Sequence, residues 1–167
     1  MHNELTAMDI QKMKEELDYR VVTLMPELIA EVKRTRAFGD LSENAEYKIA
    51  KQAQNRNRSR IRYLENMIAS AKVIEDRSAD DEVGLYDKVE LWLPEDEETE
   101  HIQVVTTVRC DPLKGLVSKE SPLGIAVLGK KVGDRFMVQI NEQVRYEVEI
   151  RSIEKQIDDG STPLLKY

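Results

Sequence analysis

Apolar residues recur in steps of three or four at Ile10, Met13, Leu17, Val21, Leu24, Leu28 and Val32, which lays one stripe along a helix. A second stretch of helical period runs from about Ser42 to Glu75, with Ala45, Ile49, Ala53, Ile61, Leu64, Ile68 and Ala71 on its expected inner face. Gly39 stands between them, and a residue without a Cβ enters the left-handed region at little cost. Two long stripes joined by so short a reversal can bury themselves only against each other. The chain therefore opens with an antiparallel helical hairpin packed as a coiled coil. A returning helix of about 33 residues would be roughly 50 Å long at 1.5 Å per residue. Such a rod buries little per residue, and its evident use is reach.

Pro26 interrupts the first stripe. A proline inside a helix removes one hydrogen bond and crowds the preceding turn, so a kink or brief break is expected near Leu24-Met25. The stripe resumes in phase afterwards, which favours a kink over a domain boundary. Gln52, Arg56 and Asn57 break the returning seam midway, so the packing there is expected to be loose or partly polar.

The reversal reads Gly39-Asp40-Leu41-Ser42-Glu43-Asn44-Ala45-Glu46-Tyr47. Asp40 or Ser42 can cap the second helix, and Asp40 with Glu43 three residues on has the spacing of a capping box. The same two carboxylates would also stand at the tip of the hairpin, far from any core. Taken by themselves these residues leave both readings open.

The net charge of -7 hides an asymmetry. Nine basic residues against four acidic ones fall between Glu31 and Arg62, whereas from Ser78 onward acids outnumber bases 19 to 11. No acid between Tyr47 and Tyr63 balances Lys48, Lys51, Arg56, Arg58, Arg60 and Arg62. Most charged helices simply carry a solvated polar face. Unpaired charges of one sign repel one another, however, so a phosphate backbone is a fitting counterpart for the hairpin alone. The single cysteine, Cys110, excludes an internal disulfide and fits a reducing compartment, where it reads as a small apolar residue. No run approaches the roughly 18 apolar residues of a membrane span, and Met1-His2-Asn3-Glu4 is no signal peptide. A soluble cytoplasmic chain without a membrane partner is expected.

After Ile74 the helical period fades. Residues 1–76 are expected to form the hairpin, 77–83 a polar linker and 84–167 a second module. Tyr86 to Leu93 alternates as a strand, Pro94 to Glu100 is an acidic turn, and His101 to Val108 returns. His101 is expected to be exposed or capping rather than a metal ligand. Leu123 to Leu128 reads as a short helix ending at Gly129, and a second alternating pair, Arg135 to Ile140 and Val144 to Ile150, flanks Asn141-Glu142-Gln143. The fold class is α+β, the second module being an antiparallel sheet with one helix packed on it. Its sequence has no Gly-rich phosphate loop, metal-ligand cluster or Ser/His/Asp set, and nothing in it reads as catalytic.

At the tip the sequence resembles the bacterial Gre transcript cleavage factors, the GreA-type elongation factors. The motif from Gly39 to Tyr47 carries the likeness, together with Ser121-Pro122-Leu123-Gly124, Leu128-Gly129-Lys130-Lys131-Val132-Gly133-Asp134 and the proline-bearing Met25-Pro26-Glu27-Leu28-Ile29. The resemblance covers nearly the whole chain in order. It implies an FKBP-like fold for the C-terminal module, without isomerase activity, gripping RNA polymerase with Ser121, Pro122, Leu123 and Gly124. The hairpin would reach through the secondary channel, and the polymerase's own active centre would cleave the backtracked transcript. Asp40 and Glu43 would then be the catalytic acids, sharing Mg²⁺ with the polymerase and binding none in the free protein. One or two carboxylates on a rod cannot hold that ion alone. Ser42, Asn44 and Tyr47 would shape the tip, and Lys51, Arg56, Arg58 and Arg60 would hold the extruded 3′ end of the nascent RNA. The chain would act as a monomer and would not itself be an enzyme.

Ile125 stands where the family often has arginine, and Phe38 where histidine is common. The short basic strip favours the GreA over the GreB type. Other readings are an inhibitory regulator of the same architecture that enters the channel, and a coiled-coil adaptor with no role in cleavage. A prolyl isomerase fits least, since Trp92 and Phe136 are the only aromatics besides tyrosine with which the second module could line a proline pocket.

Overall fold

The structure, a computed structural model, describes residues 2–39 and 44–166. Two compact units divide the chain, one of Ile10–Lys72 and one of Met1–Asp9 with Val73–Tyr167. These limits differ from those expected at 76 and 84. The first residues belong with the second unit, and Val83, expected in a linker, is buried in that unit's core.

In the hairpin unit the first strand of the rod is α1 (Ala7–Asp18), a π-helical segment (Tyr19–Leu24) and α2 (Met25–Arg36). The division between the units falls inside the first turn of α1. The expected interruption takes the form of a π segment. Pro26, in the first turn of α2, brings no N–H, and its ring crowds the carbonyl four residues back. The wider π turn relieves that crowding. The Met25 N–H reaches the Arg20 carbonyl five residues back. The extra residue also shifts the phase, so Val21, assigned to the stripe, is exposed and Arg20 takes the inward place.

The returning helix α3 (Ala45–Ser70) has 26 residues, about 39 Å, and is shorter at both ends than expected. Its buried residues are Ala50, Gln54, Asn57, Arg60, Leu64 and Met67. Ile49, assigned to the inner face, is 67% exposed. The seam runs nearly in heptads, with Ala50, Asn57 and Leu64 in one set of positions and Arg60 and Met67 in the other, where Gln54 is buried beside half-buried Ala53. Polar residues therefore occupy its middle layer. Glu16 Oε1 accepts from Arg20 Nε at 2.7 Å and from Arg60 Nε at 2.8 Å, and Glu16 Oε2 accepts from Arg60 Nη2 at 3.1 Å. Arg20 Nη1 donates to Asn57 Oδ1 at 2.9 Å, and Asn57 Nδ2 donates back to the Arg20 carbonyl at 3.2 Å. That carbonyl is the one that closes the π turn.

β1 (Glu4–Leu5) and β2 (Lys72–Val73), the latter beginning on the last residue of the hairpin unit, form a two-stranded sheet, and in the second unit the Ile74 N–H donates to the Leu5 carbonyl at 2.9 Å. The main sheet has five strands in the order β5 (Leu116–Ser118), β4 (Glu98–Val105), β3 (Lys88–Leu93), β7 (Arg145–Glu154), β6 (Arg135–Gln139). Both expected strand pairs are present and antiparallel. The sheet is mixed, however, because the three-residue β5 runs parallel to β4. Val89, Leu91, Leu93, Ile102, Val104, Val138, Val148 and Ile150 alternate inward to one apolar core, which α4 (Pro122–Val127) covers with Val127. His101 is exposed on β4, 3.9 Å from Glu90 across the pair. Cys110 is a half-buried free thiol.

Arg109 ties distant stretches to this core. It is buried, donates to Asp9 Oδ1 at 3.3 Å and to Asp158, and lies 4.6 Å from the Tyr86 ring. Its Nε donates to the Thr162 carbonyl at 3.1 Å. Burial, with the nearby Asp9 charge, pushes the Tyr86 phenol above its usual pKa.

Candidate functional site

The two acids expected to be catalytic, Asp40 and Glu43, and the tip residue Ser42 lie outside the described residues. What is described is the neck on either side of them. Gly39 ends the first strand of the hairpin at φ +107°, with nothing within 4 Å of where a Cβ would stand. Conformation rather than crowding selects glycine here. Across the reversal the N-cap of α3 is Asn44, not Asp40 or Ser42. Asn44 Oδ1 accepts from the Tyr47 N–H at 3.0 Å, filling one of the orphan donors of the first turn.

The choice of Asn44 has a physical reason in the opposite helix. Its Nδ2 donates to the Thr35 carbonyl at 2.7 Å, the same oxygen that accepts from the Phe38 N–H at 3.2 Å. An aspartate or serine there could cap α3, but neither has an amide nitrogen with which to reach back. Thr35 is fully buried, with its hydroxyl on the Glu31 and Val32 carbonyls at 3.0 and 3.1 Å. One carbonyl thus joins the end of α2 to the start of α3. Thr35 was missed in the sequence, although a polar residue three after Val32 continues the stripe and was the available signal.

The neck is cationic. Arg34 pairs with Glu31 at 2.6 Å and stands 3.7 Å from Glu46, with its guanidinium 5.3 Å from the Phe38 ring. Arg36 lies 5.8 Å from the ring of Tyr47. Its hydrogen bond, aided by its charge and that of Lys51, holds the Tyr47 phenol below its usual pKa. Neither arginine was singled out from the sequence.

Farther down α3 the basic residues part company. Arg56 and Arg58 are exposed, and among the described residues neither reaches a carboxylate within 4.0 Å. Lys51 is half-buried, with its ammonium 3.4 Å from Gln54 Oε1. Arg60, expected beside them as an RNA contact, is instead buried in the seam and held by both oxygens of Glu16. Burial alone would raise the Glu16 pKa, but the hydrogen bonds from Arg60 and Arg20 outweigh it and hold the carboxyl below its usual range.

In the second unit, Ser121-Pro122-Leu123-Gly124 forms the first turn of α4. Ser121 Oγ accepts from the Gly124 N–H at 3.1 Å and donates to the Ser118 carbonyl at 2.7 Å, and Pro122 fills a position that needs no N–H. A Cβ on Gly124 would collide with the Ser118 carbonyl. Leu123 packs on the core, while Pro122 and the neighbouring Ile125 face solvent. The loop before this turn is pinned as well, with Glu120 accepting from Thr107 Oγ1 at 2.8 Å and paired with His2, and Lys119 paired with Glu4.

Among the described residues no helix is long and apolar enough to cross a membrane. Residues 3–73 match the family described as transcription elongation factor, N-terminal, and residues 78–155 match transcription elongation factor, GreA/GreB, C-term. The transcription elongation factor GreA of Mesoplasma florum is 39% identical over 150 residues, spanning 89% of this chain and 96% of that protein. The Bacillus subtilis GreA is 39% identical over 135 residues, 81% of this chain and 86% of that one. The crystal structure of GreA factor homolog 1 of Thermus thermophilus is 25% identical, covers 91% of this chain and 98% of that one, and gives a TM-score of 0.41. Matched in order through both halves, and alike to curated GreA proteins over most of its length, this chain belongs to the GreA/GreB family of transcription elongation factors.

Proposed function

We propose that this elongation factor binds RNA polymerase, passes its hairpin into the secondary channel and stimulates the polymerase's own cleavage of backtracked nascent RNA. It is not itself the nuclease. Asp40 and Glu43 would help to hold an Mg²⁺ shared with the polymerase active centre and would orient the attacking water. That metal supplies the Lewis acidity of phosphodiester hydrolysis. One copy of the chain acts alone, and the solvent-facing corner at Pro122 and Ile125 meets the polymerase. Arg56 and Arg58, with Lys51 above them, neutralise the phosphates of the extruded 3′ end.

The observation that most supports this reading is the neck. Gly39 and Asn44 flank the two acids and stand on one hydrogen-bonded base, in which the Thr35 carbonyl accepts from both Phe38 and Asn44. A catalytic constellation needs its groups held by residues that are themselves locked. The test is transcript cleavage in a stalled complex. Asp40→Asn with Glu43→Gln should lower the stimulated rate by at least about a hundredfold, the scale of losing positioned polar groups, while retention on polymerase stays within a factor of about two. Cleavage at the parent rate in that double variant would overturn the assignment. Inhibition by the parent chain would favour the channel-entering inhibitor instead.

A further inference from the structure

The middle of the hairpin seam holds a charged layer where an apolar layer would be expected to stabilise the rod better. Glu16, Arg20, Asn57 and Arg60 meet there, with Asn57 and Arg60 in the two heptad core positions of α3. Two further features make this more than a tolerated polar contact. First, the exchange between Arg20 and Asn57 is reciprocal, side chain to side chain and side chain to backbone, at 2.9 and 3.2 Å. Second, the backbone oxygen that Asn57 grips also closes the π turn with the Met25 N–H. The phase shift near Pro26 and the pairing of the two helices are thereby joined at one atom.

Replacing a buried ion pair by apolar residues is often neutral or stabilising, so such a layer is weak evidence for stability. Its best-attested use is to specify register, because any other alignment leaves the same polar groups buried without partners. Here the neighbouring buried positions on α3 are Ala50, Leu64 and Met67, with Gln54, whose Oε1 accepts from Lys51 of the same helix, and these discriminate poorly between alignments. Sliding α3 by one turn or one heptad would move its first residue by about 5 to 10 Å along the rod. That displacement falls on the segment that joins Gly39 to Asn44. We infer that Arg20 and Asn57, held by Glu16 and Arg60, are positioning residues: they fix the register of the hairpin and so the place of the acidic tip. In its functional consequence this rests on the reading above; in its structural part it does not.

The test uses the full chain with spin labels at the exposed positions Ile29→Cys and Ile49→Cys in a Cys110→Ser background. The parent should give one interlabel distance by pulsed electron resonance. The apolar layer variant Glu16→Leu/Arg20→Leu/Asn57→Leu/Arg60→Leu should remain helical and add a second population displaced by about 5 to 10 Å. In the cleavage assay its maximal stimulated rate should fall at least about fivefold, since small misplacements of a reacting group are costly. The concentration for half-maximal effect should stay within about twofold. A single unchanged distance in the apolar variant overturns the inference. So does a cleavage defect that lies wholly in the half-maximal concentration. If the fourfold variant loses its helical circular dichroism, Asn57→Leu alone decides by the same distance measurement. The distances are read on the free chain, so they settle register even if the parent stimulates no cleavage.

Discussion

The two units use buried charge in opposite ways. In the sheet unit an apolar core comes first, with Val89, Leu91, Val104, Val138, Val148 and Ile150 almost wholly removed from water, and the charged knot of Arg109, Asp9 and Asp158 fastens peripheral segments onto it. In the hairpin, apolar burial is sparse, and the charged layer lies within the seam itself. The difference follows from shape. Two paired helices expose most of their surface, so burial by about 25 cal/mol per Å² has little area to act on. Where burial is plentiful, polar contacts attach; where it is scarce, they specify.

The comparison can be broken most directly at Arg109. Arg109→Ala leaves Asp9 buried without its ion-pair partner, with only the Thr6 N–H among the described residues still donating to it, and loss of one member of a buried pair costs about 3–5 kcal/mol. Hydrogen exchange should then rise in residues 2–9 and 155–165 and through the sheet, with the hairpin last to respond. If the hairpin exchanged first, the sheet unit would not be the self-sufficient one. A smaller effect is expected at the neck. Asn44→Ala removes the cap and its bond to the Thr35 carbonyl, about 1 kcal/mol, with faster exchange confined to the ends of α2 and α3. Asn44→Asp restores the cap but not the bond to Thr35, so it should recover only part of the loss.

The smallest effect is one of acidity. The Glu16 pKa in the folded chain lies below its ordinary 4.5, so its contribution is complete above that pH and is lost as pH falls through the lower, folded value. Glu16 is partly solvated, which keeps the effect modest. Acidification below 4.5 should loosen residues 10–72 before the sheet, seen as earlier amide exchange there. Simultaneous loosening of both units would remove the distinction drawn between them.

The reversal at Gly39, both hairpin strand pairs and the short helix after Ser121 were legible in the sequence because each has a local signal of period, turn or cap. The inner face of α3 was legible only in part, with Leu64 buried as assigned and Ile61 and Ile68 half-buried. Apolarity pointed to Ile49, Ile61 and Ile68, whereas the heptads run through Asn57 and Arg60. A rule that places charge outside cannot find a seam that holds charge inside. Arg60 was misplaced for that reason, its residue type suggesting a phosphate contact while its position buries it against Glu16. Pro26 announced an interruption but not its kind, since a kink and a π turn answer the same missing N–H. Asp40 and Ser42 were the caps read from the sequence, and only the Thr35 carbonyl on the facing helix explains why Asn44 takes that place. The parallel strand β5 has three residues, too few to show any period.

The bond between Leu5 and Ile74 means that the sheet unit is discontinuous along the chain, with the hairpin spliced into it as an insert. During synthesis the residues of the insert leave the ribosome well before Arg109, Asp158 and Thr162, which finish the unit that flanks it along the chain. An insert of this kind is also modular. Whole heptads could be added to or taken from both of its helices, or a relative's hairpin transplanted between residues 9 and 73, without altering any residue of the sheet core. The length of the rod and the integrity of its mount are then separate variables for engineering.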